Sequence, residues 1–570
     1  MSRKSLKCTA AALALLLPAL VLAQQASSGA AKPAPAGAVY LNGKIFTADD
    51  KDSVVQAFAV SGDRFVAVGA NDKIRAFIGP NTKVIDLKGH FVSPGLTDDH
   101  MHNEGGGPGL DLSHTRSIAD LLAVVGKAAA AAEPGALLFS NADWHEAQLK
   151  EQRLPTTAEL DTVSPRNPVV LLRGGHTYIL NSAAFRKYNI SKDTASPSGG
   201  EISHDASGEL TGVLIDNARH LVQLPPRKPL SMDDILRTQK VVNPYGITAI
   251  RVPGAYKGDM LQAYKLWKQA DAQHLLTLRY TIYLPGFELR NAQQVDALLD
   301  QWHVAQDEGD DFVRIGGVKL HVDGGFEGGH LSRPYLEPYG KGGTYSGLAV
   351  MTPAEDTEVV REINAKGWRV TTHAVGDAAL EETLDAYEAA DRDKSIVGHR
   401  WSVEHAFIAR PDLVARLKKL NIYVSAQDHL YLAAPVLKRY WGWDIASQVD
   451  PIKTYLDAGL LVAGGTDSST IPFNPFWELY FYATRDTISD GVYGANLRIA
   501  SRPLLLRLVT INFAKLIGEE KTRGSIEPGK LADFAVLTDD FLTVPVKKMR
   551  DMKSLATYVG GQEVYRDPSY

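Results

Sequence analysis

Asp98-Asp99-His100-Met101-His102 follows an apolar run, Phe91-Val92-Ser93-Pro94-Gly95-Leu96, and this junction constrains the chain more than any other stretch. Residues two apart on an extended strand point to the same side. His100 and His102 therefore aim two imidazoles at one point, and imidazole is a common ligand for zinc and similar divalent metals. A His-x-His pair alone is weak, because many arise by chance. Its meaning comes from partners met downstream in a fixed order: Lys319, His373, His405 and Asp467. Each stands near the end of an apolar run. Val313-Arg314-Ile315-Gly316-Gly317-Val318 leads to the lysine, Trp368-Arg369-Val370-Thr371-Thr372 to His373, Trp401-Ser402-Val403-Glu404 to His405, and Leu460-Leu461-Val462-Ala463-Gly464-Gly465-Thr466 to Asp467. Polar residues at the C-terminal ends of successive strands are what a (β/α)8 TIM barrel needs, because its active site is built at that face. Stretches of helical character, 353–366, 378–390 and 411–420, separate the runs.

The rest of the chain surrounds that pattern. Arg3, Lys4 and Lys7 precede an apolar stretch, 10–22, and Val21-Leu22-Ala23 reads as a small-residue cleavage site. Residues 1–23 therefore read as a secretory signal peptide, which predicts a periplasmic or secreted protein; an uncleaved anchor is the alternative, although the stretch is short for a membrane span. Removing the signal takes away three positive charges and no negative ones, so the formal charge moves from −5 to −8. Nothing in that balance points to nucleic acid. The single cysteine, Cys8, lies inside the signal, so the mature chain has no thiolate ligand or nucleophile. Residues 24–37, rich in Ala, Ser, Gly and Pro, read as a flexible leader. Residues 38–96 read as short strands with Asn-Gly, Gly-Asp and Lys-Gly turns, and so do 532–537 and 558–565. Between His102 and about 246 lies a long segment before the next clear barrel strand, 247–252. It is read as an insertion that shapes the pocket. Whether 169–173 is a barrel strand or part of that insertion stays open.

With these motifs in hand, the chain resembles the amidohydrolase superfamily, and within it the family 3 branch of YtcJ-like proteins and N-substituted formamide deformylases. The resemblance covers nearly all of the mature chain. It is carried by Leu41-Asn42-Gly43-Lys44-Ile45-Phe46, by Val318-Lys319-Leu320-His321-Val322-Asp323-Gly324, by His373-Ala374-Val375-Gly376-Asp377, by Glu404-His405-Ala406, by Gly465-Thr466-Asp467 and by the closing Gly524-Ser525-Ile526-Glu527-Pro528-Gly529-Lys530-Leu531-Ala532-Asp533. It implies an α/β fold: a TIM barrel over 97–504 with an insertion at about 103–246, and a small β-sandwich built from both termini, 38–96 and 505–570. One stretch departs from the branch, which usually reads Asp-Gly-Ser-Leu-Gly after the lysine strand. This chain has Asp323-Gly324-Gly325-Phe326-Glu327-Gly328-Gly329, so Phe326, Glu327 and His330 are placed to alter the pocket mouth.

The resemblance also implies the chemistry. A free lysine ammonium has three donors and no acceptor, so it cannot hold a cation. As a ligand, Lys319 must be carboxylated by CO2, and the carbamate bridges two metals roughly 3.5–4 Å apart. An unmodified lysine that binds substrate or packs structurally is the alternative. The expected set puts His100, His102 and Asp467 on one metal and His373 and His405 on the other, with Lys319 between them. Zn2+ suits nitrogen and oxygen ligands; manganese, iron and cobalt also fit the residue types. Asp467 is the expected general acid and base, with a strand-end capping role beside Ser468, Ser469 and Thr470 as the plainer reading. His176, in Arg173-Gly174-Gly175-His176, is expected at the substrate or the developing oxyanion. Trp144 and Asp323 are further expected substrate contacts. His399, His429, His220 and His303 read as structural or surface residues. Aromatics at 431, 440, 441, 443, 473, 476, 477 and 480 are either packing or an apolar pocket for a bulky substrate. The resulting expectation is a metal-dependent hydrolase of non-peptide C–N bonds, with amides of the N-substituted formamide or N-acyl type as small-molecule substrates. A cyclic amide, carbamate or ester hydrolase is the second reading, and an exported binding protein on an inactive scaffold the third. Stable membrane association is not expected, and homo-oligomerisation is left open.

Overall fold

The computed structural model describes residues 33–105, 107–226, 229–468 and 474–570. The expected signal peptide and residues 24–32 of the expected leader lie outside them. Eight parallel strands form the centre: β1 (Leu96–Asp98), β2 (Ile247–Pro253), β3 (Arg279–Pro285), β4 (Val313–His321), β5 (Val370–Ala374), β6 (Ser402–His405), β7 (Tyr423–Gln427) and β8 (Val462–Gly465). They neighbour one another in chain order. The ring closes just past its first strand, where the Asp99 amide donates to Gly464 O at 3.0 Å and Met101 bridges Ser468 in parallel. Asp98 ties the same two ends, accepting from Thr466 N at 3.0 Å and Thr466 Oγ1 at 2.6 Å. Helices on the outside cover these strands, so both strand faces are buried. The helix Pro353–Ala365 shows how the sequence sets such an element. Thr352 and Glu355 form a capping box, Pro353 takes the first helical position, and Val359, Val360 and Ile363 are buried. Register places His321 opposite His373, and Ala374 opposite His405, so the ends of β4, β5 and β6 emerge near one level.

Both chain ends build the β domain. One sheet holds Arg64–Gly69, Ala57–Ser61, Ala38–Leu41 and Lys83–Asp86. The other joins Phe91–Pro94 antiparallel to Phe534–Leu537, so the two termini share one ladder. An aromatic core seals the pair: Tyr40 stacks on Phe58 at 4.8 Å and Phe534 on Tyr558 at 4.4 Å. Two boundaries differ from expectation. Ala36, inside the expected leader, is buried and its amide donates to Phe77 O. Helix Ile511–Ile517, inside the stretch assigned to the β domain, packs Phe513, Leu516 and Ile517 on Ala249 and Ala463 of the barrel.

The insertion carries its own five-stranded sheet: Gly200–His204, Leu210–Asp216, Thr177–Leu180, Val169–Arg173 and Leu138–Phe139. The open question about 169–173 is thereby answered. That strand pairs antiparallel with Thr177–Leu180 and sits inside the insertion sheet. It reads as continuously apolar because both its faces are covered, Leu171 packing with Leu121 and Trp144, and Val170 with Leu180 and Phe185. No helix of the described residues is long and apolar enough to cross a membrane.

Candidate metal centre

His100, His102, Lys319, His373, His405 and Asp467 line one cavity of about 480 Å3 at the C-terminal face of the barrel. One ligand atom each from His100, His405 and Asp467 lies within 4.8 Å of the others. His100 and His102 follow β1 rather than lying within it, yet alternation persists through the Met101 bridge, and their Nε2 atoms stand 3.2 Å apart. Asp467 Oδ1 lies 3.2 Å from His102 Nε2 and 3.6 Å from His100 Nε2. The His373 and His405 rings are 4.5 Å apart. His405 and Asp467 both have left-handed backbones, at φ 69° and 55°. Such strain in non-glycine residues gathers at functional sites.

Each ring has a second partner that fixes which nitrogen is bare. His100 Nδ1 faces Glu404 Oε2 at 2.8 Å, His102 Nδ1 faces Ala255 O at 2.9 Å, and His405 Nδ1 faces Gln427 Oε1 at 2.6 Å. All three partners accept, so the proton sits on Nδ1 and Nε2 presents a lone pair. His373 is held the other way, Nε2 to Gly324 O at 3.2 Å, leaving Nδ1 bare. Burial, and then the nearby Lys319 charge, push His100 down to about 3; burial also holds His373 and His405 well below the imidazole range. Burial opposes ionisation of Asp467, but His100, His102 and His429 outweigh it and keep the carboxyl well below its usual range. Bare ring nitrogens and a carboxylate oxygen therefore converge, and a cation is what such a donor set fits. Burial lowers the Lys319 amine to about 8.

Beneath the expected ligands lies a buried ionic floor. Arg251 of β2 donates from Nε to Asp99 Oδ1 at 2.7 Å and from Nη2 to Glu404 Oε2 at 2.8 Å, and Thr371 Oγ1 donates to Glu404 Oε1. Arg251, Asp99 and Glu404 are fully buried. Sequence reasoning did not single out Glu404 or Arg251, although a charge inside an apolar strand is a signal in itself. His429, expected to be structural or at the surface, is a correction: its Nε2 meets Asp467 Oδ2 at 3.0 Å. It follows β7 directly, so the strand-end rule that pointed to the other ligands also points to it.

The insertion supplies the roof. His176 lines the cavity, and its Nδ1 stands 2.5 Å from Asp216 Oδ1. Asp216 is buried at φ 46°. The glycines of 324–329 make this docking possible. A Cβ on Gly325 would lie 2.7 Å from the His176 ring, and one on Gly328 2.2 Å from Asp216 Oδ2. Glu327 turns away from the mouth and pairs with Arg173 of the insertion, whereas Phe326 faces a small side cavity. Two expected substrate contacts lie elsewhere. Trp144 is packed in the insertion core and donates Nε1 to Leu172 O at 2.6 Å. Asp323 is fully buried and accepts from the amides of His330, Val375 and Gly376, holding the loops after β4 and β5. The aromatics after β7 and β8 are packing: Tyr431, Tyr440, Trp441, Phe476 and Tyr480 are buried in the main core, Trp477 packs against it and Trp443 is exposed, while position 473 is outside the described residues. A further cavity of about 530 Å3 lies under the insertion beside Asn141, Asp143 and Arg237 and touches none of the six ligands.

Residues 83–565 match the model of a family described as the amidohydrolase family. Protein LONG AFTER FAR-RED 3 of Arabidopsis thaliana is 29% identical over 93% of this chain and 92% of its own length. The N-substituted formamide deformylase of Arthrobacter pascens is 27% identical over 91% of this chain and 97% of its own. Among solved structures, an uncharacterized metal-dependent hydrolase from Pyrococcus furiosus superposes with a TM-score of 0.63 at 26% identity, covering 89% of this chain and 100% of that one.

Proposed function

This chain belongs to the amidohydrolase family and is a metal-dependent hydrolase acting on C–N bonds; from that premise we propose that it cleaves amides of the N-substituted formamide or N-acyl type. The observation that carries the reading is the gathering of one ligand atom each from His100, His405 and Asp467 within 4.8 Å of one another, with His102 Nε2 3.2 Å from both His100 Nε2 and Asp467 Oδ1. We assign His100, His102, His373, His405, Asp467 and a carboxylated Lys319 as the ligands of two Zn2+ ions. A buried amine lowered to about 8 has a free-base fraction at neutral pH that can add CO2, and the carbamate replaces three donors by two acceptor oxygens. The relative that acts on N-substituted formamides supports an open-chain amide over a cyclic one.

Bound divalent metal supplies a more acidic water and a polarised carbonyl. Asp467 then accepts the water's proton and delivers it to the leaving nitrogen, while His429 fixes its second oxygen. Such acid–base help is typically worth about 10²–10⁴-fold. His176, held at Nδ1 by Asp216, lines the cavity where it meets the substrate oxygen.

The test is metal analysis joined to turnover of an amide panel. Wild type should hold metal and hydrolyse amides. Asp467→Asn should lose about 10²–10⁴-fold in kcat, and Lys319→Ala should lose metal-dependent turnover altogether. Absence of both metal and hydrolysis would instead make the chain a binding protein. Export is proposed from the basic and then apolar start of the sequence; the mature protein should begin at Gln24, which N-terminal sequencing reads directly.

A further inference from the structure

Among the described residues, a wide and a narrow cavity meet at the candidate metal centre. His176, His373, His405 and Asp467 line both. The wide one, about 480 Å3, also takes in His100, His102 and Lys319 and runs outward to Arg219, His220 and Glu288; His220 and Glu288 are exposed. The narrow one is about 30 Å3, walled by Phe326, Val375, Phe407 and Arg173. That volume is far below that of the wide cavity and admits only a small group.

The walls about Phe326 are held by several described neighbours. The Phe326 ring packs against Phe407 at 6.2 Å, His429 at 5.7 Å and His145 at 6.0 Å. Its neighbour Glu327 is locked to buried Arg173, and Arg173 also pairs with Glu146 at 3.0 Å. Gly325 and Gly328 lie against the His176–Asp216 pair, with no room for a side chain. Moving Phe326 aside therefore means disturbing close-packed rings or a buried ion pair, and interiors packed this way do not yield smoothly.

We infer that the substrate is asymmetric about its scissile C–N bond. One side is limited to a small group and lies against Phe326 and Phe407; the other extends without such a limit into the wide cavity. Phe326 is the residue that sets the limit. This inference rests on the proposed amide hydrolysis for its chemistry, but the compartment itself can be read without turnover.

The experiment crosses acyl groups from formyl to benzoyl with amines from ammonia to benzylamine, on the full metal-loaded chain. Turnover and calorimetric binding are measured for each amide. Along one axis of this matrix kcat/KM should fall about tenfold or more per added methylene beyond the limit, the usual range for an apolar pocket, while along the other it should change little. Phe326→Ala should regain about tenfold or more for the excluded groups at unchanged metal content. Phe326→Leu, a milder reduction, should shift the limit in the same direction. Equal tolerance of bulk along both axes overturns the inference, and so does an unchanged limit in a folded, metal-loaded Phe326→Ala. If nothing in the matrix is turned over but binding is still restricted at one end and relieved by Phe326→Ala, the hydrolytic reading fails and the compartment stands. Unselective binding, or none, removes the compartment.

Discussion

Which nitrogen each imidazole turns toward the centre is decided one residue further out. Glu404 does this for His100 and Gln427 for His405. Such outer partners tune metal affinity by about 10–100-fold. Gln427 isolates the effect better than Glu404, because Glu404 also balances Arg251 and its loss would strand a buried charge. Gln427→Leu removes the acceptor that holds the His405 proton on Nδ1. We expect the variant to fold, with about 10–100-fold weaker metal retention, read by dialysis against graded chelator; unchanged retention would show that His405 needs no help to present Nε2. This scale was partly legible in the sequence. Strand-end position, the His-x-His pair and the family resemblance pointed to the six expected ligands, whereas Glu404, Arg251 and Asp216 act through partners 153, 152 and 40 positions away. No local pattern announces a partner at that distance.

Elements were legible where one rule served each of them. The runs ending in Lys319, His373, His405 and Asp467 form or lead directly out of β4, β5, β6 and β8, because a buried parallel strand reads as an apolar run closed by a polar residue. The strand Val169–Arg173 defeated that rule, since burial on two faces looks the same in a barrel and in the middle of an insertion sheet. Helix Pro353–Ala365 hides a different feature. Asp356 lies in it, buried, and neither carboxyl oxygen has a hydrogen-bond partner among the described residues. Burial, with Glu382 nearby, raises its pKa from 3.8 to about 8. The folded state thus prefers the protonated acid more than the unfolded chain does. Its contribution to stability is whole below 3.8 and is lost as pH rises through about 8. Asp356→Leu should therefore stabilise the protein, by about 1–3 kcal/mol near pH 8 and by less near pH 5, as melting curves at the two values would report. A gain that shrinks as pH rises would mean that the carboxylate has a cationic partner.

At the scale of the molecule, the expected metal ligands and the roof above them belong to different units. All six expected ligands lie on the barrel, and His176 and Asp216 lie on the insertion. The composite β domain and this roof were the least legible parts, because both depend on pairings between segments far apart in the chain, as when Phe91–Pro94 meets Phe534–Leu537. The roof is fastened by a buried ion pair between Arg173 and the barrel loop residue Glu327, shared with Glu146, and by Ala147 against Leu432. All three charged groups are almost wholly buried. Removing one member of such a set leaves its partners uncompensated, at a cost of about 3–5 kcal/mol. Arg173→Met strands Glu146 and Glu327 together, and that strain falls on the joint between the units, not on the barrel. The expected result is faster proteolytic cleavage within the insertion, a barrel that resists cleavage and keeps its metal, and a fall in kcat as His176 loses its place above the centre. Mass spectrometry of the fragments, alongside metal content, distinguishes this from general unfolding. Were metal lost in step with cleavage, the roof would have to be counted part of the metal site itself, and the division of labour between barrel and insertion would not hold.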